Sequence, residues 1–372
     1  MRPIRVLVVD DAVVIRRMLT DLLSADPELE VVGTAANGQI ALTKVEQLKP
    51  DLITLDIEMP EMDGLQALAA LRKTHPFLPV IMFSTLTERG AAKTLEALTL
   101  GANDYITKPA NVGGVTDAIQ RIRQELIPRI KAFCGKGAGI EMRPCATVRP
   151  PEFLPKVPVL SPPKIVAIGV STGGPNTLAA IVPAFPADFP VPIVVVQHMP
   201  PIFTRILAER LDGCSEIQVR EGCSGERVRP GVAWIAPGGL HMVVERHSDG
   251  IWLRTQQEPP ENSCRPAVDV LFRSVVRTYG SGVLGVILTG MGHDGLEGCK
   301  EIRKAGGQVL AQDETTSVVW GMPGAVAQSG LADKILPQDQ VGIEIVRRVM
   351  EGRNPSAGAS AERGNLTCRT AL

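Results

Sequence analysis

The 372-residue sequence lacks several features that would each indicate a particular class of protein. No apolar run approaches the ~18 residues that a membrane-spanning helix needs, and Asp10 and Asp11 interrupt the N-terminal segment where a signal peptide would be apolar. The formal net charge is only -1, so no overall charge attracts the chain to nucleic acid or to a membrane surface. We therefore expect a cytoplasmic protein that binds no nucleic acid and inserts into no membrane.

The sequence also lacks paired cysteines. Seven cysteines are present, and none forms a C-x-x-C motif; they stand at positions 134, 145, 214, 223, 264, 299 and 368. Neither a zinc site nor a disulfide framework is indicated by this scatter. Free thiols in a reducing compartment are the expectation.

What the sequence does contain is enough length for two domains, because a single core seldom grows past ~250 to 300 residues. Residues 134–163 hold seven prolines and three glycines without an apolar period, which is typical of an extended linker. We predict a first domain over 1–133 and a second over 164–351. We expect the polar tail over 352–372 to be disordered.

Both domains alternate strand-like and helical patterns, so we predict the α/β class for each. In the first domain five strands with covering helices predict a (βα)5, flavodoxin-like parallel sheet; the strands are 4–10, 29–35, 51–56, 80–84 and 104–108. In the second domain seven strands predict a doubly wound, mostly parallel sheet; they are 164–170, 191–197, 216–221, 232–236, 241–245, 282–290 and 307–312. The segments HMVVER and IWLRTQ, joined by HSDG, predict a β-hairpin that makes the second sheet mixed.

Polar residues end the strands of the first domain, and the carboxyl ends of parallel strands meet in one crevice. This rule brings together three carboxylates, two hydroxyls and one amine: Asp10, Asp11, Asp56, Ser84, Thr85 and Lys108. Three carboxylates repel one another unless a cation lies among them, and an all-oxygen cluster suits Mg²⁺. An aspartate between a metal and a lysine is equipped to accept a phosphoryl group.

Residues 1 to about 125 closely resemble the response-regulator receiver domain, through DD, LDIEMPEMDG, FST and KP in these positions. The resemblance implies that Asp56 is phosphorylated and that Asp10 and Asp11 bind Mg²⁺ together with the carbonyl of Glu58. It further implies that Ser84 and Lys108 bind the phosphoryl oxygens, and that Tyr105 is the aromatic residue that changes position in the switch.

In the second domain the same strand-end rule selects Ser171 after the first strand, His198 after the second and Asp294 after GVILTG. A hydroxyl, an imidazole and a carboxylate at one edge are the set in which histidine activates serine and aspartate orients the histidine. Gly173 and Gly174 allow close backbone approach, and amides beside them could form an oxyanion hole.

Other interpretations stay open from the residues alone. The STGG loop could hold an anion or could be an ordinary strand-to-helix connection, and His198 could be a structural histidine. His241 could line the site instead, whereas His75 and His247 are expected at the surface and His293 is expected to point away from Asp294.

Residues 164 to about 350 resemble the catalytic domain of the CheB protein-glutamate methylesterases, through GVSTGGP, QHMP, APGG, LTGMGHDG and WGMPG. The resemblance implies Ser171 as the nucleophile, His198 as the base and Asp294 as its orienting carboxylate. It also implies an oxyanion-hole amide at Met291 and an assisting role for Thr172.

The implied function is hydrolysis of glutamate methyl esters on chemoreceptors through an acyl-enzyme, with activity on receptor glutamines left open. The receiver would inhibit the enzyme until a histidine kinase phosphorylates Asp56; Mg²⁺ would serve that step, and the esterase reaction would need no cofactor. The main alternative is a phosphorylation-switched binding protein whose second domain is not catalytic. A transcription regulator is disfavoured, because nothing after the linker reads as a basic helix-turn-helix.

Overall fold

The computed structural model describes residues 2–108, 115–134 and 162–351. The first of its sheets has five parallel strands in the order β2-β1-β3-β4-β5; they are β1 (Ile4–Val9), β2 (Leu29–Ala35), β3 (Leu52–Asp56), β4 (Val80–Ser84) and β5 (Asp104–Thr107). The helices between and after them are α1 (Val13–Ser24), α2 (Gly38–Leu48), α3 (Gly64–Thr74), α4 (Glu88–Thr99) and α5 (Val115–Cys134). The predicted receiver-type sheet is confirmed.

Local sequence explains where these helices begin. The Asn37 side chain accepts a hydrogen bond from the Ile40 amide at the start of α2. Asp63 and Gln66 form a reciprocal capping box at the start of α3. In α1 the apolar side chains of Leu19, Leu22 and Leu23 lie on one face of the helix and are buried. This face of α1 packs against β1 and β2.

The second sheet has seven parallel strands in the order β14-β13-β12-β6-β7-β9-β8. Its strands are β6 (Ile165–Val170), β7 (Ile193–Gln197), β8 (Gln218–Glu221), β9 (Val232–Ile235), β12 (Val283–Ile287), β13 (Gln308–Gln312) and β14 (Lys334–Leu336). The strand β6 is buried along its whole length, which is why its sequence IVAIGV is continuously apolar rather than alternating.

Helices cover both faces of this sheet: α6 (Gly174–Ile181), α7 (Phe203–Asp212), α8 (Val268–Tyr279), α9 (Leu296–Lys304), α10 (Met322–Gln328) and α11 (Gln338–Glu351). The doubly wound prediction is confirmed. The strand β14 was not predicted, because KIL is only three residues long and half exposed.

The prediction of a mixed sheet is wrong. The hairpin β10 (His241–His247) and β11 (Gly250–Gln256) does form, but as a separate antiparallel sheet. It packs on α8, where the Ser274 hydroxyl accepts the Val244 amide at 3.1 Å, and its apolar side joins the core on that face of the sheet. The hairpin and α8 therefore share one core on this face of the sheet.

The two sheets are joined by packing of α4 and β5 against α6 and α7. The rings of Tyr105 and Phe203 stack with centroids 4.9 Å apart and planes 6° from parallel. Two carbonyls of α4 accept hydrogen bonds from the second domain: Leu98 from the Asn176 amide at 2.8 Å, and Leu95 from Arg210 at 2.7 Å. The β5 and α4 side of the first domain thus faces the start of α6.

None of the helices in the described ranges combines the length and hydropathy that a bilayer crossing requires. The domain boundaries proposed from the sequence stay predictions. Most of the proposed linker and the whole proposed tail lie outside the described residues.

Phe272 on α8 is fully buried, whereas Phe77 is 93% exposed. We expect Phe272→Ala to lower the free energy of unfolding of the second domain by about 3–5 kcal/mol, because it leaves a cavity in the core. Phe77→Ala is the matched control and should change it by less than about 0.5 kcal/mol. Denaturant titration measures both; equal small losses would show that α8 does not pack as described.

Candidate active site and phosphoacceptor site

Ser171 is the first residue after β6, in a turn that the surrounding residues hold closely. Its amide donates to the Thr289 carbonyl at 3.0 Å, and its carbonyl accepts the Gly174 amide at 2.8 Å and the Gln197 side chain at 2.9 Å. Gly173 has a φ of +79°, and a Cβ added to Gly174 would lie 1.8 Å from Gln197 Oε1. The two glycines are therefore required by the turn. Within the described residues, the Ser171 hydroxyl has no hydrogen-bond partner.

His198 is the first residue after β7, and strand pairing places it next to Ser171. In the β6–β7 register Val170 lies opposite Gln197, and the His198 amide donates to the Val170 carbonyl at 3.2 Å. The ring nitrogen Nε2 lies 2.8 Å from Asp294 Oδ2. The predicted histidine and carboxylate are thus paired at the strand end that carries the serine.

Asp294 is buried, and donors surround its carboxylate. Oδ2 accepts the Val268 amide at 2.7 Å, and Oδ1 accepts the Asp269 amide at 3.1 Å and Asn262 Nδ2 at 2.9 Å. Burial alone would raise the pKa of Asp294, but the hydrogen bond and charge of His198, with the two amides, hold that pKa below its ordinary value. The carboxylate is therefore charged and fixed in orientation.

The same contacts act on His198. Burial alone would lower its pKa, but hydrogen bonds to Asp294 and Cys264, and the charges of both groups, outweigh burial and raise the pKa of His198 to about 10. A protonated imidazole cannot accept a proton from serine. In this arrangement the base must first lose its proton before it can act.

The loop after β12 brings backbone close to Ser171. A Cβ added to Gly290 would lie 2.8 Å from Ser171 Cβ and 2.5 Å from Met322 Sδ. The Thr289 hydroxyl donates to the carbonyl of Thr172, which is itself buried. Within the described part of the chain, the Met291 amide donates to no backbone or side-chain acceptor, so it is available to a ligand.

The other histidines are placed outside this set. His241 is fully buried, and both ring nitrogens contact backbone: Nε2 the Pro259 carbonyl at 3.0 Å and Nδ1 the Ala267 amide at 3.2 Å. It is a structural histidine, and the suggestion that it lines the serine site finds no contact to support it. His293 is exposed while Asp294 is buried, and His247 lies at the exposed hairpin end.

Three residues that the strand-end rule does not select also belong to this site. Asn262 Nδ2 bridges Asp294 and Asp269, whose Oδ2 it meets at 2.9 Å. Burial and the nearby charge of Asp294 raise the pKa of Asp269 to about 6 against the hydrogen bonds from Gly298 and Asn262. The third is Cys264, whose Sγ lies 3.6 Å from His198 Nδ1. Their only signal in the sequence is a polar segment, ENSCRPAVD, leading into α8.

In the first domain, Lys108 lies between two carboxylates. Its Nζ is 2.9 Å from Asp10 Oδ2 and 2.8 Å from Asp56 Oδ2. Burial and the charge of Asp10 raise the pKa of Asp56 to about 6, against the hydrogen bond and charge of Lys108 and the Glu58 amide. The carboxylates of Asp10 and Asp56 repel each other, and a bound divalent cation would reduce that repulsion.

The donor set fits Mg²⁺. Carboxylate oxygens of Asp10, Asp11 and Asp56 all lie within 4.8 Å of one another, beside a cavity of about 220 Å³ that Asp56, Ser84 and Lys108 help to line. Asp10 Oδ2 and Asp56 Oδ2 are buried, and among the described residues each meets the Lys108 ammonium group and no other donor. A carboxylate oxygen has two lone pairs, so each of these oxygens could still bind a metal.

The remaining predicted receiver residues lie around this cavity or at the domain contact. The Ser84 hydroxyl accepts a hydrogen bond from Thr94 and donates to the Gly90 carbonyl. The Glu58 side chain pairs with Lys93 at 3.4 Å, and the Glu58 amide donates to Asp56 Oδ1 at 3.4 Å. Tyr105 is buried against Phe203 rather than turned toward Ser84.

Both domains of the chain match known protein families. The family model described as CheB methylesterase matches residues 166–345, and the response regulator receiver domain model matches residues 6–120. A protein-glutamate methylesterase/protein-glutamine glutaminase of Trichodesmium erythraeum is 54% identical over 348 residues, which cover 93% of this chain and 99% of that one. The chain belongs to the CheB methylesterase family.

One further relative and one solved structure show the extent of the similarity. A protein of the same description from Nocardioides sp. is 53% identical over 364 residues, covering 96% of this chain and 99% of its own. The crystal structure of the Thermotoga maritima CheB methylesterase catalytic domain is 44% identical, covers 50% of this chain and 98% of its own, and has a TM-score of 0.49. The predicted family, the predicted enzyme class and the pairing of a hydrolase with a receiver domain are confirmed; the roles of individual site residues stay predictions.

We expect the His198 imidazole to keep its proton well above neutral pH in the unphosphorylated chain, because Asp294 and Cys264 both stabilise the charged ring. Histidine Cε1 NMR signals recorded against pH measure this directly. Asp294→Asn removes the carboxylate charge and should bring the midpoint down by at least about one unit. A His198 midpoint near the ordinary ~6.5 in the unaltered chain would contradict the described geometry.

Proposed function

We propose that this chain hydrolyses γ-glutamyl methyl esters on chemoreceptors, with Ser171 as the nucleophile. The observation that carries the proposal is the pairing of His198 Nε2 with Asp294 Oδ2 at 2.8 Å, on the strand end next to Ser171. Family membership supports the substrate class. We further infer that the reaction takes place in the cytoplasm, which fits the free thiols among the described cysteines.

The proposed mechanism starts with neutral His198, whose Nδ1 takes the Ser171 proton while Nε2–H stays bonded to Asp294. Ser171 Oγ attacks the ester carbonyl, and the Met291 amide, with amides of the Thr172–Gly174 turn, stabilises the oxyanion. His198 then gives its proton to the departing methanol, and a water molecule repeats the sequence to release glutamate. Because this needs the neutral ring, the rate should rise with pH through the His198 pKa.

The same acyl chemistry would serve a glutamine side chain, with ammonia as the leaving group. Relatives carry the description protein-glutamine glutaminase, and the chain is 54% identical to one of them. We include deamidation of receptor glutamines in the proposal for this reason.

We propose that Asp56 accepts a phosphoryl group from a histidine kinase. Asp10, Asp11 and Asp56, with the Glu58 carbonyl, would hold Mg²⁺, which would neutralise charge on the transferring oxygens. Lys108 contacts Asp56 and would bind a phosphoryl oxygen directly, and the Ser84 hydroxyl would bind another.

We also propose that the unphosphorylated receiver inhibits the esterase. Three contacts between the domains lie beside the Ser171 turn. Tyr105 stacks on Phe203, Asp104 lies against Thr172, and Val319, whose carbonyl accepts the Gly290 amide, packs on the receiver core. A phosphorylation-driven movement of Tyr105 toward Ser84 would break the stacked pair and open this face.

Methanol release from methyl-labelled receptor membranes tests the function. We expect release to rise when a small phosphodonor and Mg²⁺ are added, to stay at the basal level in Asp56→Ala, and to fall at least about a thousandfold in Ser171→Ala. Receptor control that persists in Ser171→Ala, without hydrolysis, would favour the phosphorylation-switched binding protein.

The inhibitory contact has a separate test in Asn176→Ala combined with Arg210→Ala. Each change removes one hydrogen bond from the second domain to α4, so basal release without phosphodonor should rise roughly tenfold. Arg17→Ala, an exposed residue on α1, is the control and should leave basal release unchanged. Equal basal rates in all three proteins would contradict inhibition through this interface.

A further inference from the structure

The thiol of Cys264 lies at the catalytic histidine. Its Sγ is 3.6 Å from His198 Nδ1, within hydrogen-bond reach for sulfur, while the opposite ring nitrogen is paired with Asp294. The structure therefore contains a second nucleophile, histidine and carboxylate set that shares its base with Ser171. Asp294, His198 and Cys264 bring three potential ligand atoms within 4.8 Å of one another.

Two basic side chains, those of His198 and Arg129, lie near this sulfur. His198 can exchange one proton with the thiol, and Asp294 stabilises the imidazolium that results. Arg129 of α5 lies close enough to Cys264 for their charges to interact. A positive neighbour on the receiver side disfavours a bound metal cation at this sulfur.

Cys264 also differs from the other described cysteines. Cys134 is half-buried at the end of α5, where its thiol donates to the Asp51 carbonyl at 3.5 Å. Cys299 is fully buried in the core, and Cys214 and Cys223 are exposed, with no imidazole in contact among the described residues. Cys264 is half-buried, so small reagents can reach it. Among the described cysteines, Cys264 combines partial exposure with a contact to a histidine ring.

We propose that Cys264 is a modification site for hydroperoxides and other small soft electrophiles, activated by His198. The thiolate sulfur attacks one oxygen of the hydroperoxide, the S–O bond forms and the O–O bond breaks. Sulfur loses two electrons and becomes a sulfenic acid. The hydroperoxide is reduced to an alcohol or water, whose oxygen takes the proton from His198 Nδ1.

The consequence for ester hydrolysis rests on the proposed function. Nδ1 is the nitrogen that must accept the Ser171 proton, because Nε2 is bonded to Asp294. An oxidised sulfur 3.6 Å from Nδ1 would occupy that nitrogen and the space in front of it. Oxidation of Cys264 would thus stop the esterase until a reducing thiol restores the cysteine.

The direct test measures modification without measuring hydrolysis. The folded full-length chain is treated with hydrogen peroxide at neutral pH, sulfenic acid is trapped with dimedone, and each cysteine is quantified by peptide mass spectrometry. We expect Cys264 to react faster than Cys214 and Cys223. In His198→Gln the Cys264 rate should fall roughly tenfold, because glutamine carries no positive charge to stabilise the thiolate.

The exposed cysteines are the internal control for folding. Their rates should be the same in both proteins, and all rates should become equal between the proteins in denaturant. A Cys264 rate that His198→Gln changes by less than twofold, or that is no higher than the Cys214 rate, would overturn the proposal.

A second arm connects modification to activity. Peroxide should remove ester hydrolysis in step with Cys264 oxidation, dithiothreitol should restore it, and whatever hydrolysis Cys264→Ser retains should resist peroxide. If inactivation proceeds equally in Cys264→Ser, the inhibitory consequence is wrong. If no preparation hydrolyses the ester, the proposed function fails while the trapping result still decides the modification site.

Discussion

The register of three neighbouring strands is the constraint on which the esterase site depends. In the order β12-β6-β7, the central strand ends at Val170, directly before Ser171, and its partner β7 ends at Gln197, directly before His198. The loop after β12 then returns Gly290 and Asp294 to the same edge. A slip of one residue in either pairing would turn these side chains to opposite faces of the sheet.

Burial of charge is the second physical theme. Asp294 and Asp269 lie close together in a buried position, and Asn262 donates to both. The pair is tolerable because backbone amides and His198 neutralise Asp294, whereas Asp269 has a raised pKa of about 6. In the receiver, Lys108 plays the corresponding part between Asp10 and Asp56. Both sites therefore contain buried carboxylates whose pKa values are shifted, and such shifts are concentrated at functional sites.

The sequence predicted the main elements because strand ends carry a clear signal. Ser171, His198 and Asp294 each follow an apolar run, so the edge at which they meet can be inferred without coordinates. The segment Asn262–Cys264 follows no strand, and only the fold of the loop before α8 brings it to His198, so its contribution was missed. The turn sequence predicted the hairpin. It did not predict that the hairpin packs on α8 as a separate sheet, because the sequence of a hairpin does not show which part of the protein it packs against.

The contact between the two domains lies next to Ser171. The face of the receiver that carries Tyr105, Asp104 and Arg129 lies against the turn that carries Ser171 and its neighbour Thr172. Asp56 ends β3, which pairs with β4, and β4 pairs with β5, so Asp56 and this face belong to one sheet.

The central claim is that the unphosphorylated receiver covers Ser171, and the rate at which a fluorophosphonate probe labels Ser171 tests it most directly. The full-length chain would be labelled with and without beryllofluoride and Mg²⁺, which mimic the phosphoryl group on Asp56. The account predicts faster labelling with the mimic in the unaltered chain and no acceleration in Asp56→Ala. Equal labelling rates with and without the mimic, in a chain that binds it, would contradict the account.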